Sequence, residues 1–156
     1  MSASNLQALS ILLERAEAER DEALRALKEA SQRADAAKLQ HGELAQYRMD
    51  YQQRWGQQFA RQGTMDIVAC YQNFGGRLDQ AIDSQSHVAV HADQRVERAR
   101  AVLMEREMRV ASVRKLLERR RFDMARAAQR QDQKAMDEQA ARAALSANNP
   151  FSRLSA

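Results

Sequence analysis

Residues 47–76, YRMDYQQRWGQQFARQGTMDIVACYQNFGG, hold six of the chain's eight aromatic side chains and four of its five glycines. The fifth glycine, Gly42, lies just upstream. Glycine disfavours helix and aromatic rings carry large contact areas, so this stretch reads as a bend dressed with anchoring side chains. Gly63 and the pair Gly75–Gly76 bracket the segment from Thr64 to Phe74. Thr64 suits a helix N-cap, and Ile67, Val68, Tyr71 and Phe74 fall on one helical face. The sequence therefore predicts a short helix over 64–74, packed across a hairpin tip.

Outward from the bend, both flanks carry apolar residues at alternating three and four spacing, the pattern of a coiled-coil seam. On the first flank one series is Leu6, Leu13, Arg20, Leu27, Ala34, His41, Arg48 and Trp55, and its companion runs Leu9, Ala16, Ala23, Ala30, Ala37, Leu44, Tyr51 and Gln58. On the second flank Ile82, Ala89, Val96, Leu103, Val110, Leu117 and Met124 alternate with Leu78, Gln85, Ala92, Ala99, Arg106, Val113, Arg120 and Ala127. These series predict a first long helix over 1–61, capped near Ser4 and reaching roughly 85 Å from about Asn5 to Arg61, and a second over 77–145. Asn148, Asn149 and the single proline, Pro150, mark a stop, with 146–156 expected as a flexible tail.

Two seams of similar length joined by a short connector favour an all-α fold, a long antiparallel two-helix coiled-coil hairpin with the short helix at its tip. Closing a short loop costs less entropy than recruiting a second chain, although dimerisation through the same seams is the alternative. If the two flanks fold back on each other, facing residues should have numbers adding to about 137. That register sets Ala30, Ala34 and Ala37 against Leu103, Val110 and their neighbours, small against large as close packing requires.

Composition agrees and narrows function. The chain has 156 residues, of which 29% are charged, 5% are aromatic and one is proline, a long-helix profile. A narrow seam in place of a broad core leaves little room for a closed catalytic pocket. The balance of 25 basic and 21 acidic residues is interspersed, as on solvated helix faces, and does not call for nucleic acid. The lone Cys70 fits a reducing cytoplasm. No signal peptide and no membrane span is expected, so the expected location is the cytoplasm.

Candidate sites divide unevenly between plain and specific readings. His87 and His91 have helical ligand spacing, but only Asp83 stands near and the face is open, so solvation is the better reading and no metal is expected. Arg119–Arg121, Arg126, Arg130 and Lys134 form a basic strip interrupted by Glu118, Asp123, Asp132, Asp137 and Glu138, which is read as a solvated face with paired charges. No nucleophile triad, phosphate loop or buried carboxylate pair occurs, so neither catalysis nor a cofactor is expected. Tyr47, Tyr51, Trp55 and Phe59 recur every four residues along one stripe. Trp55 and Phe59 suit shelter beneath the bend, whereas Tyr47, beside the seam, suits half-exposure toward a partner.

The run Leu44-Ala45-Gln46-Tyr47-Arg48-Met49-Asp50-Tyr51, the stretch Tyr71–Phe74 with Arg77–Ile82 and Gln85, and the late run from Arg126 to Glu138 ending in Gln133-Lys134-Ala135-Met136-Asp137-Glu138 together resemble the flagellar export protein FliJ family. The resemblance covers nearly the whole chain. It implies a non-catalytic component of the bacterial flagellar type III export apparatus, a coiled-coil hairpin similar to the central stalk of rotary ATPases. Its implied partners are the hexameric export ATPase, the cytoplasmic domain of the membrane export gate, and export chaperones, at the inner membrane beneath the flagellum. Family gate-contact positions fall on Gln40, Leu44, Tyr47, Tyr51, Phe74, Leu78, Ala81 and Gln85. The chain departs from the family at Gly75–Gly76, where an apolar residue is more familiar, and at Gln85, where some relatives carry histidine. Two rival readings are the equivalent stalk of a virulence injectisome and a nucleic-acid-binding coiled coil using the basic strip.

Overall fold

A computed structural model describes residues 2–61 and 63–153. Two helices account for nearly all of them: α1, Ser2–Phe59, and α2, Met65–Ala147. They pack against each other as an antiparallel two-helix hairpin, and no strand occurs among the described residues. A short 3-10 helix, Pro150–Arg153, follows.

The seam lies where the heptads place it. Every seam position of α1 from Leu6 to Trp55 is buried or half-buried, as is every one of α2 from Leu78 to Val113. The most deeply buried members are alanines on α1 (Ala16, Ala23, Ala34, Ala37) and larger aliphatics on α2 (Leu78, Val96, Val110, Val113, Leu117). Small residues on one helix thus let the other's branched side chains enter, the interdigitation that gives interiors their density.

Packing divides the chain into two units. In the first, residues 2–16 lie with residues 109–153. Ala16, Val110, Val113 and Leu117 are buried there, and Leu6 shares a shallow groove with Met124 and Ala127. From Ala125 to Pro150 every residue of this unit is exposed. In the second unit, residues 17–108, Ala23, Ala34, Ala37, Leu78 and Val96 form the buried line. Arginines at seam positions are handled by carboxylates near them: Arg106 Nη1 lies 3.5 Å from Glu19 Oε2, and Arg20 pairs with Asp21 at 3.0 Å.

Two expectations are corrected. The short helix over 64–74 is not separate: its residues are the first turns of α2, which continues through Gly75 and Gly76 without a break. Neither glycine has positive φ, and tertiary contact outweighs the roughly 1 kcal/mol that glycine costs in a helix. Consequently the register differs from the expected one. Gln85 donates to the Ala37 carbonyl and Lys38 pairs with Asp93, so facing numbers add to between 122 and 131, not to about 137. Because α1 ends at Phe59 and α2 already begins at Met65, α2 is moved along α1 by roughly two to four turns. Ala34 therefore shares its surroundings with Val96, and Ala30 and Ala37 share theirs with Val88 and Ala92.

The helix ends follow local chemistry. Thr64 stands immediately before α2, with its carbonyl accepting from Val68 N–H at 3.2 Å. α1 already includes Ser2, so Ser4 lies within the helix and is not its cap. At the far end α2 stops two residues beyond the expected limit, at Ala147. Asn149 Oδ1 accepts from Phe151 N–H at 3.3 Å, and the proline cannot continue the ladder. Of the expected tail, Pro150–Arg153 are helical and residues 154–156 lie outside the described residues.

Candidate functional site at the aromatic bend

Antiparallel pairing brings the aromatic ladder of α1 onto the opening turns of α2. Tyr51 stacks on Tyr71 with ring centroids 5.4 Å apart and meets Phe74 at 4.8 Å. Trp55 lies 6.0 Å from Tyr71, and Phe59 meets the same ring edge-on at 5.2 Å. Tyr71 is thus the hub on which three rings of α1 converge. Tilted and edge-on contacts of this kind add about 0.5–1.5 kcal/mol per pair beyond area burial, which ties the last turns of α1 to the first turns of α2.

Arg48 closes the cluster on its inner side. Its Nε donates to Asp79 Oδ1 at 2.9 Å, and its guanidinium carbon sits 6.0 Å from the Tyr71 ring centroid. The guanidinium passes directly over Gly75, where a Cβ would stand 3.2 Å from Nη2. Gly75 is buried beneath it. The hydrogen bond to Asp79, followed by one with Tyr71, raises the Arg48 pKa further above its already high value, so the side chain is a permanent cation. Its Nη1 is buried without a hydrogen-bond partner. Burial first, and then the neighbouring phenols Tyr71 and Tyr47, raise the Tyr51 hydroxyl pKa.

The eight positions proposed from sequence form one strip. The Tyr51–Phe74 contact sets a register in which Tyr47 faces Leu78, Leu44 faces Ala81 and Gln40 faces Gln85. All eight occupy the same two heptad positions, in the seam and on one side of it. Their roles within the strip differ. Leu78 is buried, and Tyr51, Leu44 and Gln85 are half-buried, Gln85 being tied to the Ala37 carbonyl at 3.3 Å. Tyr47 at 51% exposure and Phe74 at 40% present the large apolar surface, flanked by exposed Gln40 and Ala81.

Arg48, Tyr71, Gly75 and Asp79 also belong to this site, although sequence reading did not assign them there. An arginine at a seam position opposite a glycine is the signal that could have found them, once the register was known. His87 and His91 are exposed, and no group of three metal-ligating side chains occurs among the described residues. The basic residues from Arg119 to Lys134 are exposed and make no ion pair among the described residues, so the expected pairing along that face is not formed. No described helix is long and apolar enough to cross a membrane.

A family model described as "Flagellar FliJ protein" matches residues 5–149 of the chain. No curated protein and no solved structure matches it.

Proposed function

The chain belongs to the flagellar FliJ protein family and so is a component of flagellar type III protein export, and we propose that it acts there as a non-catalytic coupling hairpin. In this reading the strip at the bend docks the cytoplasmic domain of the membrane export gate. Tyr47 and Phe74 insert into the gate surface, while Gln40 and Ala81 line the edges of the contact. Buried Leu78 and half-buried Tyr51, Leu44 and Gln85 form the base from which those two rings project. Residues of the unit formed by 2–16 and 109–153 engage the hexameric export ATPase and promote its assembly and turnover. Export chaperones are handed on by the same protein, which works in the cytoplasm at the inner-membrane face of the flagellar base.

The observation that carries the reading is the fate of the eight family positions. They gather in one strip, and two of its four exposed members, Tyr47 and Phe74, are aromatic rings of the kind that dominate protein–protein affinity. Phe74, held against the Tyr51 ring, loses little conformational entropy on docking.

Calorimetric titration of the gate's cytoplasmic domain with the Tyr47→Ala/Phe74→Ala variant tests it. Circular dichroism should show unchanged helicity, gate affinity should fall at least about a hundredfold, as removal of two aromatic anchors implies, and soft-agar swarming should stop. Wild-type affinity and swarming in that variant would refute the assignment.

A further inference from the structure

The two flanks of the paired helices in residues 17–108 differ in chemistry. On one flank Lys38 Nζ meets Asp93 Oδ1 at 3.0 Å and Arg100 meets Glu97 at 2.9 Å, so charge is matched across the seam and along the helix. On the other flank runs a groove floored by Ala30, Ala37 and Ala92, with Ala26 and Val88 on its walls. Val88 is 51% exposed, and Val102, two heptads along α2, is 43% exposed. Arg33 and Arg95 line the groove from opposite helices, and neither makes an ion pair among the described residues.

Positions flanking an antiparallel seam ordinarily carry opposite charges that help pair the helices. Two arginines facing each other there weaken the hairpin unless an anion joins them. Glu29 is the one carboxylate lining the groove, which leaves it net cationic around an apolar floor. Arginine also holds carboxylates in a bidentate fork that lysine does not provide.

We propose that this groove docks an amphipathic helix of another protein, one whose apolar stripe is bordered by Asp or Glu. The alanine floor lets a third helix approach closely, with leucine-sized side chains settling beside Val88 and Val102. Its carboxylates meet Arg33 and Arg95. A second copy of this chain fits worse, because a two-fold contact through the groove would bring four arginines together. The groove occupies the flank that carries Tyr47 and Phe74, but it uses other residues and does not rest on the gate assignment.

The test uses the full chain and two fluorescent stapled helical peptides. Both have leucines at the seam positions; one carries glutamates beside them and the other lysines. Fluorescence anisotropy should show the glutamate peptide binding at least about tenfold more tightly than the lysine peptide, with a preference that weakens as salt rises. The Arg33→Glu/Arg95→Glu variant, its helicity checked by circular dichroism, should reverse that preference, and Tyr47→Ala should leave it unchanged. Equal binding of both peptides, no binding of the glutamate peptide at about 100 μM, or loss of binding in Tyr47→Ala would overturn the proposal. So would sedimentation showing that the groove is occupied by a second copy of the chain.

Discussion

Arg48 occupies a seam position where a leucine would bury more apolar surface, and the residue it crosses is a glycine. The pair works because one side chain supplies all the volume. The guanidinium lies on the bare helix backbone at Gly75, reaches Asp79, and covers the edge of the ring cluster. Gly75 and Gly76 should therefore respond differently to a methyl group. At Gly76 nothing stands within 4 Å of an added Cβ, so Gly76→Ala should stabilise the protein by about 1 kcal/mol through helix propensity alone. Gly75→Ala should stabilise it measurably less, because Arg48 must shift from a contact at 3.2 Å. Urea denaturation of the two variants compares them directly, and equal gains would mean that Arg48 does not need the glycine. Tyr51 provides a second residue-scale expectation. Its folded-state pKa lies above the ordinary 10.0, so above that pH the folded protein retains a proton that the unfolded chain has lost. Stability is then intact below pH 10 and falls as pH rises beyond it. Tyr51→Phe should flatten that fall in denaturation curves taken between neutral and strongly alkaline pH.

At the scale of the element, periodicity was a dependable guide and punctuation was not. Seam residues from Leu6 to Trp55 were legible because an alternating three and four pattern has only one face to bury. Intrinsic propensity alone makes the Gly75–Gly76 pair a break, yet the buried side of α2 continues unbroken from Tyr71 through Gly75 to Leu78. Propensity yielded to tertiary packing there, and the error passed directly into the register. As a candidate anchor Tyr47 was legible, being an aromatic beside a seam, whereas Phe74 joined the strip only through the family resemblance. Arg48 and Asp79 were not, because their partnership depends on a register that the sequence alone mis-set. Burial along α2 also ranks the consequences of mutation. Leu117 is 4% exposed beside Val110 and Val113, so Leu117→Ala should cost about 2–4 kcal/mol in urea denaturation. Leu116, its 43% exposed neighbour, should cost less than about 1 kcal/mol when changed the same way.

For the whole molecule the decisive question is which residues of one chain face which, because every assignment at the bend follows from it. The heptad pattern is satisfied equally by one chain folded back or by two chains paired, and by registers differing by whole heptads. The ion pair of Lys38 with Asp93 and that of Arg48 with Asp79 select one register within residues 17–108. Surface pairs of this kind contribute only about 0–1 kcal/mol each, so they report the register more than they enforce it. What enforces it is the short turn, since α2 begins at Met65 and a tight connection leaves little freedom to slide. Cysteines placed by Lys38→Cys and Asp93→Cys in a Cys70→Ser background should therefore be joined rapidly within a single chain by a short bismaleimide. The pair Lys38→Cys with Ala99→Cys, matched to the register expected from sequence, should react far more slowly, being offset by about 9 Å along the helix. Mass spectrometry of a mixture of isotopically light and heavy protein separates the outcomes. Crosslinks confined to one isotope mean that each chain pairs with itself, whereas light–heavy hybrids would mean that the seam is filled by a second copy. Faster reaction of the Ala99 pair would return the helices to the other register and separate Tyr51 from Phe74, dissolving the strip at the bend.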